Sequence, residues 1–360
     1  MARYIFKRLF YGLLVIFGVV TLVFFLFNIL PGDPARMMLG QRSDAESIEM
    51  INRDLGRDKP LMVQYLSYLN DLSPISLHSS DEDSFWYLDA DKYSPYAKLL
   101  KISSTVVVAK MPYLRRSYQS KRKVSDIIAT AFPQTAILAV VAMAFALVVG
   151  VLFGIISALK VGTWVEKTIL FVSSLGMSLP SFFAAIIVAW LFAFLLSDFT
   201  HLNMSGNLFV VDDYGGGEYI CLKNLILPAF TLGIRPLSVI VEMTKSSMLD
   251  VMSQDYIRTA HAKGLSRRRV LFHHALRNAM NPVVTSASGW FAGMLAGAVF
   301  VEYVFDWKGM GVAIVNALDT YDLPVVMGSI LFVCCLIIVI NIVVDILYGV
   351  LDPRVRISNA

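Results

Sequence analysis

Charge is scarce in this sequence. Of 360 residues only 16% are Asp, Glu, Lys or Arg, against 57% hydrophobic, whereas soluble domains carry about 25% charge. With a mean hydropathy of +0.65, the composition points to a polytopic membrane protein. The formal charge of +4 is small and its Lys and Arg residues flank apolar segments instead of forming one stripe, which argues against nucleic acid as a partner. Cysteine is equally sparse: Cys221 stands alone in a loop, and Cys334 and Cys335 are neighbours in an apolar run. Neither a disulfide framework nor zinc spacing follows. The sequence has no Walker A pattern (G-x-x-x-x-G-K-S/T), no H-E-x-x-H and no G-x-S-x-G elbow. A chain without them is not expected to hydrolyse ATP by itself or to act as a membrane enzyme. Internal repeats and ion-coupling carboxylates at the bilayer midplane, the marks of an ATP-independent secondary transporter, are not evident either, and that transporter class is the remaining rival.

What the sequence has is long apolar runs. Stretches at 9–30, 134–159, 168–196, 225–249, 283–304 and 326–351 approach or exceed the roughly 20 residues that cross a bilayer. The expectation is an all-α polytopic membrane protein with six transmembrane helices. The first run is too long for the apolar core of a signal peptide and no small-x-small site follows, so it reads as an uncleaved anchor. The fourth carries Arg235, Pro236, Glu242 and Lys245; charge at that depth is tolerated where it faces protein or water. Glu242 and Lys245, three residues apart, are positioned to neutralise one another.

Lys and Arg collect on the cytoplasmic side of short loops. They do so here in the tail with Arg3, Lys7 and Arg8, in loop 160–167, in loop 250–282 and in the tail with Arg354 and Arg356. Both termini are therefore expected in the cytoplasm, with one large external segment after the first helix. The expected division is 1–72 for the tail, first helix and start of the external region, 73–123 for an external insertion, and 124–360 for a core of five transmembrane helices with the cytoplasmic loop 250–282. Acidic residues and aromatics such as Asp81, Trp86 and Tyr93 make the middle of the insertion a small folded cap.

The loop 250–282 reads as a helix-turn-helix knob. Asp255 favours the amino end of the first helix, Gly264 supplies a left-handed terminator with Leu265 packing back, Ser266 caps the second helix, and Pro282 marks its stop. His273 and His274 are adjacent, about 100° apart on a helix, so they cannot share a metal without ligands from elsewhere, and the structural reading is favoured. Gly150 with Gly154, and Gly289, Gly293 and Gly297, form small-residue stripes suited to close helix packing.

The run Asp255-Tyr256-Ile257-Arg258-Thr259-Ala260-His261-Ala262-Lys263-Gly264-Leu265 resembles the coupling loop of binding-protein-dependent ABC transporter permeases, in the dipeptide/oligopeptide/nickel subgroup. The resemblance extends to Pro31-Gly32-Asp33-Pro34 after the first run, Leu227-Pro228-Ala229-Phe230-Thr231-Leu232-Gly233, Glu302-x-x-Phe305, Gly309-Met310-Gly311, Asp345 and Asp352-Pro353-Arg354. The early Pro-Gly-Asp-Pro motif is that of the B-type half. His261 departs from the motif, where Arg is more common. The resemblance implies a permease subunit of the inner membrane that imports peptides or, alternatively, nickel chelates or other small solutes. It further implies that Asp255, Tyr256, Arg258, Ala260, Ala262, Lys263, Gly264 and Leu265 couple to an ATPase. The implied partners are a second permease, two ATP-binding subunits and an external solute-binding protein. ATP and Mg belong to the ATPase subunits, leaving no cofactor, no metal and no catalytic residue on this chain.

Overall fold

The structure, a computed structural model, describes residues 2–29, 58–81, 84–93, 95–212, 217–296 and 298–351. The chain divides into two compact units, Met1–Thr130 with Ala313–Cys334, and Ala131–Val312 with Cys335–Ala360.

In the first unit, α1 (Ala2–Ile29) contains the apolar span Phe6–Leu26. Helix α2 (Leu61–Leu72) lies against it. Tyr65 and Tyr68 bring their rings to 5.2 and 5.5 Å from Phe24, and the Tyr65 hydroxyl pairs with Thr21 Oγ1 at 2.7 Å. Next come β1 (Ile75–Ser79), β2 (Tyr96–Ile102) and β3 (Thr105–Lys110), an antiparallel sheet in the order β1-β3-β2. The register pairs Ile75 with Ala109 and Tyr96 with Lys110, with an irregularity between Lys98 and Leu100. Alternation along β3 buries Val106, Val108 and Lys110 on one face, the period-2 pattern of a half-covered sheet. The all-α expectation fails here: β-branched residues such as Val106, Val107 and Val108 stiffen a strand and fit a pleat.

That sheet is organised round a buried carboxylate. Asp71, 3% exposed, accepts a hydrogen bond from the Tyr93 hydroxyl at 2.7 Å, with Arg115 Nε at 3.6 Å and Lys92 Nζ at 3.8 Å. Its backbone carbonyl accepts from Lys110 Nζ and from the Tyr113 amide. Such a charge persists in an interior only when paired and hydrogen-bonded. Burial, together with the neighbouring Lys110 charge, lowers the His78 pKa to about 4. Burial also lowers that of Lys110, to about 8.

The second unit is almost wholly helical. Helix α3 (Val124–Leu159), whose C-terminal part belongs here, packs on α6 (Lys223–Met252). A side chain at Gly150 would meet Ile240 Cγ2 at 2.7 Å, and one at Gly154 would meet Thr244, so these glycines let the helices touch. Gly289 and Gly293 have open space instead, and Gly297 lies outside the described residues. The run 168–196 is not one helix: α4 (Trp164–Ser178) and α5 (Ser181–Val188) with its π-helical continuation meet at a 112° bend. Pro180, next to the break, disfavours helical geometry at Leu179. The run 283–304 is likewise divided between α8 (Leu276–Ala296) and α9 (Val299–Val304). α8 passes through Pro282, contrary to the expected stop, and the carbonyl deprived of its donor belongs to exposed Asn278. Helices α10 (Met310–Asp319) and α11 (Leu323–Leu351), of which residues 313–334 belong to the first unit, close the described chain. By length and composition the described residues hold four helices able to cross a membrane, or five if the bent pair is one span, which makes the protein polytopic.

Candidate functional site

The sequence-predicted knob begins at α7 (Asp255–Ala262). Only Ile257 and Ala260, three residues apart, turn inward, where they join Ala158, Met248, Val270, Ala275 and Ala279 in a small apolar cluster. Spacing of three places both on one helix face. The remaining positions point outward: Asp255, Tyr256, Arg258, Ala262, Lys263 and Gly264 are exposed, and Leu265 is half-buried. Asp255 and Arg258 approach to 3.5 Å across the exposed surface, too open a pair to add much stability.

The turn after α7 is fixed by its backbone. Gly264 has φ +77°, its amide donates to the His261 carbonyl, and the Leu265 amide donates to the Ala260 carbonyl. This is the Schellman arrangement, in which a left-handed glycine lets two amides satisfy the last carbonyls. A Cβ at Gly264 would touch nothing within 4 Å, so glycine is required for its torsion, not for space. Ser266 has extended backbone but makes no side-chain cap. The second helix of the knob is not short: it begins with Arg267–Arg269, widens to a π-helical stretch over Val270–Ala275 and runs on into α8. Tyr256 ties the two arms, its hydroxyl accepting from Asn278 Nδ2 at 2.8 Å.

With this geometry the site presents a mostly polar helix face and an exposed turn. The family described as "Binding-protein-dependent transport system inner membrane component" matches residues 150–357, and its N-terminal counterpart, "Binding-prot-dependent transport system membrane comp, N-term", matches residues 1–78. The chain belongs to this family of inner membrane transport components. It is 37% identical to the di/tripeptide transport system permease protein DppB of Pseudomonas aeruginosa, with 99% of each chain covered. It is 35% identical to the dipeptide transport system permease protein DppB of Escherichia coli, again over 99% of each. Against the dipeptide transport system permease protein DppB of Alkalihalophilus pseudofirmus the identity is 31%, over 99% of this chain and 100% of that one.

The other sequence-predicted residues of this inner membrane component are dispersed. Pro31, Gly32, Asp33, Pro34, Asp352, Pro353 and Arg354 lie outside the described residues. Asp345 falls on α11, its side chain outside the described set. Glu302, wholly buried on α9, accepts hydrogen bonds from Thr135 Oγ1 at 2.6 Å and from the Gly311 amide at 2.7 Å. It thus satisfies the open amides at the start of α10. The expected pairing of Glu242 with Lys245 is replaced: Lys245 Nζ meets Glu166 Oε1 at 2.5 Å, and Glu166 also accepts from the Gly162 amide. Sequence spacing favoured the local partner, whereas the first turn of α4 delivers a closer one. Among the described residues no group of three or more His, Cys, Asp or Glu side chains could hold a metal; the His273 and His274 rings stand at 90°.

Proposed function

We propose that this inner membrane component is the B-type permease subunit of an ABC importer for short peptides, with ATP and Mg bound by partner subunits. The observation that carries the reading is α7 with its turn: Ile257 and Ala260 anchor it, while Asp255, Tyr256, Arg258, Ala262, Lys263 and Gly264 are exposed on its surface. A helix held by small residues moves with the helices beneath it, and exposed charges at its rim select a complementary partner. The coupling residues are therefore Asp255 to Leu265, the partner an ATPase pair, and a second permease and an external solute-binding protein complete the assembly. Peptides are the proposed solutes because three relatives spanning nearly the whole chain bear dipeptide or di/tripeptide permease names.

The proposed arrangement keeps six crossings, with the bent α4–α5 pair and the divided α8–α9 pair each serving as one. Both termini and loop 250–282 are cytoplasmic, and the insertion 73–123 lies outside, between 1–72 and the permease core 124–360. The test is purification of the tagged subunit in mild detergent. Recovery of a second permease and ATPase subunits, with ATPase activity stimulated by peptide and binding protein, is the expected result. A homo-oligomer moving solute without ATP would overturn the reading in favour of secondary transport.

A further inference from the structure

Helix α6 is the most charged of the candidate spans, and its burial is one-sided. Leu237, Ile240, Val241, Thr244 and Met248 are buried, and Gly150 and Gly154 of α3 close on that side. The opposite side carries Arg235, Val239, Glu242, Ser246 and Leu249, all half-buried or exposed. Their spacing of four, three, four and three residues puts them in one stripe. A stripe with Arg and Glu is costly against hydrocarbon and belongs beside protein or water.

Among the described residues neither charge in that stripe has an ion-pair partner. Glu242 makes no ion pair among the described residues, because Lys245 is engaged by Glu166. Arg235 has its Nε buried without a hydrogen-bond partner. Seven residues of helix separate the two by about 10.5 Å along the axis, too far for a salt bridge and on the same face. Pro236, lacking an N–H, also leaves the Leu232 carbonyl on this face without its helical donor. An extended tripeptide spans about 10 Å between its ends and carries a carboxylate at one end and an ammonium at the other.

We propose that Arg235 and Glu242 line the solute path and hold the two charged termini of a di- or tripeptide, Arg235 the carboxylate and Glu242 the ammonium. The proposal rests on the peptide-importer reading above. Arg offers a planar fork for a carboxylate, and Glu accepts from an ammonium. A peptide blocked at either end loses one of the two contacts and leaves a charge facing the path alone.

The test uses the assembled transporter in proteoliposomes, with its partner permease, ATPases and binding protein, and radiolabelled trialanine as probe. R235Q and E242Q are each expected to lower the apparent uptake efficiency about tenfold or more, the size of one charged hydrogen bond. R235E/E242R is expected to recover uptake relative to R235E, since a reversed peptide satisfies the reversed pair. Because a variant can fail to assemble, V239C and S246C, in a background with Cys221, Cys334 and Cys335 replaced by Ser, supply a second readout. Both are expected to react with a membrane-impermeant thiol reagent and to be protected by trialanine. If wild type imports trialanine while the charge variants keep full uptake, or if V239C cross-links to the partner permease instead of being labelled, this assignment falls and the peptide reading stands. If wild type, fully assembled, imports no peptide, both fall.

Discussion

The knob at 255–279 and the sheet region at 71–115 are both small additions to a helical protein, yet they are held together in opposite ways. The knob closes over alanines and a few aliphatic side chains, with one glycine torsion setting its turn. The sheet region closes over Asp71, ringed by Tyr93, Lys92, Arg115 and Lys110. Apolar closure is tolerant and weakly dependent on solution conditions. Closure round a charge is all-or-none, because removing one member leaves the others buried without compensation.

The sharpest way to break the comparison is therefore Asp71→Ala. About 3–5 kcal/mol of local stability is expected to go, as when one partner of a buried ion pair is deleted. Limited proteolysis should cut the 73–123 segment while leaving 255–279 intact; equal protection of both would show that Asp71 is not the hub. Acidification is the next largest effect. The folded state holds the His78 pKa at about 4, through burial first and the Lys110 charge second. An unfolded segment takes up the proton near the ordinary value of about 6.5. Below that point the unfolded state binds more protons, so stability of the sheet region is expected to fall as pH drops from about 6.5 towards 4 and to level off below. Hydrogen exchange at Val106 and Val108 against exchange at Ala260 measures it, and parallel pH profiles would remove the distinction. His78→Gln should flatten the sheet-region profile.

The same contrast explains what the sequence made legible. The knob was readable because its determinants are local: Asp255, Gly264 and Leu265 act within one turn of each other, and the torsion they require is encoded in residue type. The Asp71 hub was not, since it gathers side chains from helix α2, the short helix at 90–93, the end of β3 and the loop beyond it, and no spacing rule links them. Lys245 was misassigned for a related reason: helical neighbours can be read by counting, whereas Glu166 arrives from another helix. The bend at Leu179–Pro180 had its signal in Pro180, overridden by the apolarity of the whole run. Glu302 had the right position for a cap, but its donors Thr135 and Gly311 come from separate helices.

Within the knob, torsion and contact can be separated. Gly264→Val is expected to cost about 1–2 kcal/mol, the penalty for a left-handed L-residue, and to lower peptide-stimulated ATPase activity. Gly264→Asn, which tolerates that region, should recover most of it, because a Cβ meets nothing there. If both variants fail equally, partner contact rather than backbone torsion dictates glycine.

The smallest effect expected belongs to Tyr256. Its hydroxyl accepts one hydrogen bond from Asn278 at 2.8 Å, and the residue is 42% exposed, so water replaces the bond readily when it is lost. Tyr256→Phe should cost about 0.5 kcal/mol, the low end for a neutral hydrogen bond. Asn278→Ala also gives up the Nδ2 bond to the His274 carbonyl, so it should still cost something in the Tyr256→Phe background, but about 0.5 kcal/mol less than in the wild type, the size of the shared bond. A coupling energy near zero in that cycle would mean the arms of the knob are joined by the Ile257–Ala260 cluster alone, leaving the Tyr256 hydroxyl available to a docking subunit.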